Sequence, residues 1–218
     1  MSVNSAQETR QIREWKGDFG REYTDRNTLD PAALDLLWQS NYGVTRTALN
    51  RKFLASIPAG ARILEVGCNV GNQLLLLHGM GYESLHGVEI QSYAVRIAEE
   101  RVPSATVVEG SALSIPYPDR HFDLAFTSGV LIHIAPADLA RALSEIHRVT
   151  KTWIWGAEYY APNAAEINYR GHHDLLWKGD FSRLYLEQFP DLQLLREERI
   201  PYLNSANTDT MFLLQRRF

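Results

Sequence analysis

Cysteine is almost absent from this chain, with Cys68 the only one among 218 residues. A lone cysteine excludes an intrachain disulfide and a cysteine-based metal site, and Cys68 lies inside a glycine turn, where packing is the expected role. His78, His86 and His121 lack partners at ligand spacing, so no metal is expected. Long apolar runs are also missing: nothing approaches the ~18 consecutive apolar residues of a membrane-spanning helix. The first fifteen residues, MSVNSAQETRQIREW, are polar and lack the apolar stretch of a signal peptide. A cytoplasmic protein without a membrane partner is the expectation. There is no basic excess either, since 22 Lys and Arg face 26 Asp and Glu for a net charge of −4, so no nucleic-acid partner is expected. Repeats, low-complexity tracts and obvious linkers do not occur.

Globular composition is present: 45% hydrophobic and 22% charged residues can bury a core, and the length suits one domain. A polar helix is expected over residues 5–15, followed by a glycine-containing segment over 16–27. Asp30 and Pro31 signal a helix start, Asp as N-cap and Pro at the first helical position. Leu34, Leu37, Trp38 and Tyr42 continue that helix, and another covers residues 44–54. Strands are expected at 62–66, 85–89, 106–109, 122–127, 153–157, 193–196 and 210–215, and helices at 71–79, 91–101, 136–149 and 180–188. Apolar strands alternating with helices imply a mostly parallel sheet with helices on both faces. The last two strands lack an intervening helix and should form an antiparallel edge.

The chemistry concentrates in Ile63-Leu-Glu-Val-Gly-Cys-Asn-Val-Gly71 and in Glu89 of Leu85-His-Gly-Val-Glu-Ile90. Strand, glycine turn, helix, strand and terminal acid are how a βαβ unit holds an adenosine-containing ligand. Gly67 and Gly71 let the backbone pass close to the ligand, Asn69 tolerates left-handed backbone, and Glu89 is placed to accept from ribose hydroxyls. A dinucleotide would require amides facing a pyrophosphate, which Glu65 and Asn69 disfavour; a cationic ligand suits them.

Residues 61–155 resemble the core of class I S-adenosylmethionine (SAM) dependent methyltransferases. The resemblance rests on Glu65, Gly67, Asn69 and Gly71, on Glu89, on the segment 108–119, and on the segment 122–134. It implies a Rossmann-like seven-stranded fold with SAM as cofactor. Glu65, Gly67, Asn69, Gly71, Glu89, Ile90, Ser111, Ala112, Ser128, Gly129 and His133 would border it. Ser111 stands where the family usually carries an Asp. Trp15, Phe19, Tyr23, Trp38 and Tyr42 make an aromatic cap within residues 1–55, whose faces would attract a sulfonium, with Tyr23 the first choice. The cofactor-binding core is 61–157 and a substrate lid 158–192.

A second resemblance spans most of the chain. Trp15-Lys-Gly-Asp-Phe-Gly-Arg-Glu-Tyr-x-x-Arg-Asn27, Glu158-Tyr-Tyr160, Asn168-Tyr-Arg-Gly-His172 and Trp177-Lys-x-Asp-Phe181 are similar to methylases associated with pseudaminic acid biosynthesis. The tail departs from that family, with Asn207-Thr-Asp209 where two acids would stand. Tyr159, Tyr160, Tyr169, Arg170, His172 and Asn204 are the candidate substrate residues. Among catalytic candidates, His133 titrates near neutrality and could act as a base, as could Glu158. Tyr169 and Arg170 complete the set, Arg170 as a bidentate partner for a carboxylate. Methyl transfer to an oxygen or nitrogen of a sugar-like or amino-acid-like molecule is the first expectation, by a monomer or homodimer. Azetidine-2-carboxylate synthases share this fold, so cyclisation of SAM alone with release of methylthioadenosine is the second. A non-catalytic SAM-binding partner subunit is the third.

Overall fold

A computed structural model describes residues 9–217. Seven strands form one sheet: β1 (Ile63–Val66), β2 (Leu85–Glu89), β3 (Thr106–Glu109), β4 (Phe122–Ser128), β5 (Thr150–Tyr159), β8 (Leu192–Pro201) and β9 (Thr208–Arg216). Their order is β3-β2-β1-β4-β5-β9-β8. The first five run parallel, and β9 enters antiparallel between β5 and β8. This is the Rossmann-like methyltransferase fold expected from the sequence, down to the antiparallel edge. All four β1 residues are buried, as a central parallel strand covered on both faces requires.

Helices cover both faces. α4 (Arg46–Leu54), α5 (Asn72–Gly79) and α6 (Ser92–Arg101) contribute to a core with Phe53, Leu74, Leu77, Phe126 and Trp155; α7 (Pro136–Val149) and α8 (Phe181–Gln188) pack a second core around Phe122, Leu143, Ile146 and Phe212. α3 (Pro31–Tyr42) starts as its sequence says: Pro31 is at the first position and the Asp30 carboxylate accepts from Ala33 N–H, a cap worth about 1 kcal/mol.

The amino-terminal region departs from expectation. Of the helix expected over 5–15, residues 5–8 lie outside the described residues, and the described part is α1 (Arg10–Lys16). The glycine-containing segment over 16–27, for which no helix was expected, holds helix α2 (Asp18–Arg26). Gly20, which argues against a helix by about 1 kcal/mol, is there for packing: a Cβ would come within 1.9 Å of the Trp15 carbonyl oxygen. Between β5 and α8 the chain forms a small ribbon, β6 (Ala165–Glu166) with β7 (Trp177–Lys178).

Candidate active site

A cavity of about 280 Å³ opens beyond the carboxyl ends of β1, β2 and β4, where open α/β sheets place ligands. Its volume lies just under the ~300–1,000 Å³ of small-molecule sites. Glu65, Gly67, Asn69, Glu89, Ile90, Ser111, Ala112, Ser128, Gly129 and His133 line it, with Ile12, Trp15, Tyr23 and Trp38 closing it from the cap. Ten residues expected from the core motifs, and Tyr23 from the cap, are thus brought together.

Gly71 does not line the cavity whereas Gly67 does, and both motif glycines have a packing reason besides the one expected. Gly67 has φ +73, and a Cβ there would stand 2.6 Å from Val130 Cγ2; Gly71 has φ +76, and its Cβ would meet Val102 Cγ2 at 2.9 Å. At both positions neighbouring valines of the protein itself already exclude a side chain. Gly129, at φ +67 with nothing within 4 Å, is the glycine that faces open space.

Asn69, with φ +45, does more than tolerate the turn. Its Nδ2 donates to Thr24 Oγ1 at 3.1 Å, and that hydroxyl donates to Gln91 Oε1 at 3.1 Å. Gln91 Nε2 in turn donates to the carbonyls of Trp15 and Gly17. One chain of side-chain hydrogen bonds therefore ties the motif turn and the β2–α6 turn to both cap helices.

Glu89 ends β2 as expected, and its carboxylate is fixed from below. Oε1 accepts from Ile90 N–H (2.7 Å) and Gln91 N–H (2.9 Å), and Oε2 from Asn69 N–H (2.8 Å). Three of its roughly four acceptor positions are taken, which orients Oε2 toward a single further donor such as a ribose hydroxyl. Burial raises its pKa while those backbone hydrogen bonds lower it. Glu65 lies on the cavity floor, 3% exposed, and its Oε2 has no partner among the described residues. Burial holds its pKa well above the usual carboxylate value, with the charge of Arg46 opposing. Buried acceptors are generally partnered, so this oxygen is suited to a donor or a cation.

His133 is not the near-neutral titrating group expected. Burial pulls its pKa down to about 4. Its Nδ1 lies 2.7 Å from the Leu175 carbonyl, which can only accept, so the imidazole is neutral with the proton on Nδ1. Nε2 is left as an acceptor. The ring packs 4.5 Å from Trp15 and 5.4 Å from Tyr169.

Glu158 is 1% exposed and does not line the cavity. Its carboxylate accepts from Val130 N–H (3.2 Å) and Ile132 N–H (3.4 Å), gripping the turn that carries Val130 and His133. Burial pushes its pKa up to about 7, against the hydrogen bonds from Thr127 and this turn. Its geometry is that of a positioning group.

The lid residues are dispersed. Tyr169 and His172 close a two-residue hairpin, each donating its N–H to the other's carbonyl at 2.9 and 3.0 Å. Arg170 and Gly171 form its tip with φ +52 and +83, the pattern of a tight hairpin turn. Arg170 is exposed at that tip, so it is not directed into the cavity as a carboxylate partner. Tyr169 and His172 pack on Phe19 at 6.0 and 5.2 Å. Tyr160 lies under the Arg199 guanidinium, 3.6 Å from its ring centre, and Asn204 is exposed in the β8–β9 turn. Tyr159 meets Tyr202, whose ring lies 4.4 Å from Tyr42. None of these six residues lines the cavity.

Two groups escaped the sequence reading. Arg46 is completely buried beside Ser128 and Gln73, and Asp209 is 6% exposed at the start of β9. Arg46 did leave a signal: it is the first residue of α4, behind the Thr45 N-cap, where a cation opposes the helix dipole and needs another reason to be there.

Residues 64–152 match the family described as "Methyltransferase domain". The segment is similar to methyltransferase domains. An uncharacterized methyltransferase of Synechocystis sp. is 33% identical over 96 residues, 44% of this chain and 45% of that protein. A demethylmenaquinone methyltransferase of Bacillus licheniformis is 31% identical over 103 residues, 45% of this chain and 44% of that one. The match thus spans less than half the length of either relative. In fold, this chain is similar to a 1,6-didemethyltoxoflavin-N1-methyltransferase from Burkholderia thailandensis, solved with 1,6-didemethyltoxoflavin and S-adenosylhomocysteine. The TM-score is 0.68 at 15% identity, covering 92% of this chain and 86% of that one. The cofactor of such a methyltransferase domain is SAM, and the cavity fits it: open acceptors at Glu65 and Glu89, the open space at Gly129, and aromatic walls from Trp15 and Tyr23. Among the described residues no group of three or more His, Cys, Asp or Glu is placed to hold a metal, and no helix is long and apolar enough to cross a membrane.

Proposed function

We propose that the protein is a SAM-dependent enzyme that methylates an oxygen or nitrogen of a small molecule. One observation carries the reading: a methyltransferase-domain cavity whose floor is the unpartnered Glu65 carboxylate and whose roof is the aromatic cap. Bound there, SAM supplies an electrophilic methyl group on a sulfonium. Glu89 orients the nucleoside end. Trp15, Tyr23 and Trp38 exclude water and present aromatic faces to positive charge. Neutral His133, held by Leu175, offers Nε2 to a proton on the acceptor, while Glu158 holds the His133 turn. With the parts so fixed, positioning supplies much of the rate. A sugar-like or amino-acid-like acceptor belongs to this proposal on the strength of the resemblance to pseudaminic-acid-associated methylases, with residues 158–192 as its lid.

A second reading is cyclisation of SAM to azetidine-2-carboxylate. It is favoured by the placement of the lid candidates, none of which lines the cavity, so that no separate acceptor wall is built from them. Purified protein incubated with SAM, with and without candidate acceptors, tests both. Acceptor-dependent S-adenosylhomocysteine supports methyl transfer, methylthioadenosine formed from SAM alone supports cyclisation, and neither product with any acceptor refutes both.

A further inference from the structure

The cavity has an apolar end. Leu29, Leu34, Leu37 and Trp38, from α3 and the turn before it, all line it. The Leu29 N–H donates to Asn72 Oδ1 at 3.3 Å, which fixes this wall against the start of α5. Leu37 lines the cavity and is still 46% exposed, so the wall runs out to the surface there. Beside it in the chain, Leu36 is 71% exposed. Leu203, 66% exposed, lies against the last turn of α3. Its N–H donates to the Asn41 carbonyl at 2.8 Å, and its Cδ1 is 3.7 Å from where a Cβ on Gly43 would stand. Leu36, Ser40 and Gly43 follow one another along one helix face at i, i+4 and i+7. Among the described residues five large hydrophobic side chains are exposed, and three of them lie on or against α3.

Single exposed leucines are ordinary, whereas grouped ones mark a binding surface. The composition of α3 points the same way. A surface helix normally turns charge outward, yet α3 has one charged residue, Asp35, whose carboxylate accepts from the Thr47 N–H at 2.8 Å. Its exposed positions, Pro31, Ala32, Leu36, Leu37, Gln39 and Ser40, are uncharged, and only Leu34 is buried. A membrane-surface helix would carry Lys or Arg beside its leucines, and α3 has neither. What distinguishes this apolar face is that it begins inside the cavity. We propose that the acceptor is an amphiphile whose hydrocarbon chain leaves the cavity along Leu29, Leu34 and Leu37 and lies over Leu36 and Leu203. The inference rests on the SAM-dependent reading above and names its acceptor class. The methylated oxygen or nitrogen belongs to a polar head, and α3 supplies the acceptor wall that the lid candidates do not build. Each methylene laid on this wall leaves water, whereas a fully hydrated acceptor gains nothing from it.

Calorimetric titration of n-alkyl β-D-glucosides and n-alkylamines, methyl to octyl and below micelle formation, into the S-adenosylhomocysteine complex tests it. The proteins are wild type, Leu36→Ser, Leu37→Ser and, as a control, Leu194→Ser on β8, where the leucine is 43% exposed. Thermal melts confirm the fold, and Leu36→Ser, at the more exposed position, carries the test should Leu37→Ser not fold. Wild-type affinity in one of the two series should rise by up to ~4-fold per methylene. Both α3 variants should bind the octyl member ~3–10-fold more weakly and the methyl member as wild type does. Leu36→Ser should leave S-adenosylhomocysteine binding unchanged, and Leu194→Ser should change nothing. Affinity independent of chain length in both series, or an equal loss in Leu194→Ser, overturns the proposal. So does a wild-type dimer in sedimentation velocity that dissociates in Leu36→Ser, which assigns the face to a second copy. Flotation with phosphatidylcholine vesicles that is lost in the same variant assigns it to a membrane and overturns the proposal too. A wild-type protein that does not bind S-adenosylhomocysteine overturns the SAM-dependent reading itself, while the same two series titrated into the free protein still judge the apolar end.

Discussion

Gly67→Ala separates the two explanations of the motif glycine. At φ +73 an alanine is strained by ~1–2 kcal/mol. Its Cβ would also stand 2.6 Å from Val130 Cγ2 and 3.0 Å from Val130 Cγ1. Those contacts cannot relax freely, because the Val130 N–H is held by Glu158, so overpacking adds ~1–3 kcal/mol. The sum, ~2–5 kcal/mol, would lower the melting temperature by several degrees at the ~2–4 °C per kcal/mol expected for this chain length. Val130→Ala should cost about 1 kcal/mol by itself. In the double variant the strain at φ +73 remains but the clash is gone, so it should be more stable than the sum of the single effects predicts by ~1–3 kcal/mol. Urea denaturation measures all four proteins, and S-adenosylhomocysteine titration follows the same set. Binding should fall in Gly67→Ala and return in the double variant to the level of Val130→Ala. Additive stabilities within ~0.5 kcal/mol would falsify the packing explanation. Binding that stays lost in a folded double variant would show that the ligand, not Val130, needs the glycine.

Glu158 makes stability depend on pH. Its folded pKa of about 7 lies above the usual 4.5, so between those values the native state keeps a proton that the unfolded chain releases. Its contribution is therefore fully present below pH 4.5 and is lost as pH rises through 7, a change of ~3 kcal/mol for a shift of about 2.5 units. Urea midpoints across pH 4.5–8 should fall less steeply in Glu158→Gln than in wild type, and parallel curves refute the assignment. Thr24→Val breaks the relay from Asn69 to Gln91 and should cost ~1–3 kcal/mol, with faster hydrogen exchange at α1 and α2 amides; unchanged exchange there means that the cap is held by other contacts. Nitrogen-15 NMR should find His133 neutral, protonated on Nδ1, and titrating near pH 4 as the burial-lowered pKa requires. A midpoint near 6.5 would sink that account.

The fold was legible where local pattern and tertiary packing agree. Pro136–Val149 is a helix in the structure with the same bounds expected from its spacing, because its apolar stripe at Ala142, Leu143, Ile146 and Val149 is also its buried face. α2 was illegible because those levels disagree. Gly17 and Gly20 break the helical pattern locally, and the reason for Gly20, the approach of the Trp15 carbonyl, exists only once α1 has turned back on α2.

The same division runs through the site. The cavity rim could be read because its residues lie at strand ends within 61–133, where spacing along the chain maps directly onto position in a βαβ sheet. The lid could not, because hydrogen-bonded turns and ring contacts decide where such residues point. The Tyr169–His172 pairing turns Arg170 outward, and Arg199 claims the face of Tyr160. Arg46 and Asp209 lie furthest from legibility, since α4 and β9 are separated by most of the chain. Alone, each reads as an ordinary surface charge. Only folding shows that both are buried, that three hydrogen-bonding side chains hold one and a tyrosine the other, and that each keeps an atom open. Burying a charge is costly unless something pairs with it. Asn50, Gln73 and Ser128 supply that pairing for Arg46 and Tyr42 supplies it for Asp209, and no local pattern along the chain encodes such partners.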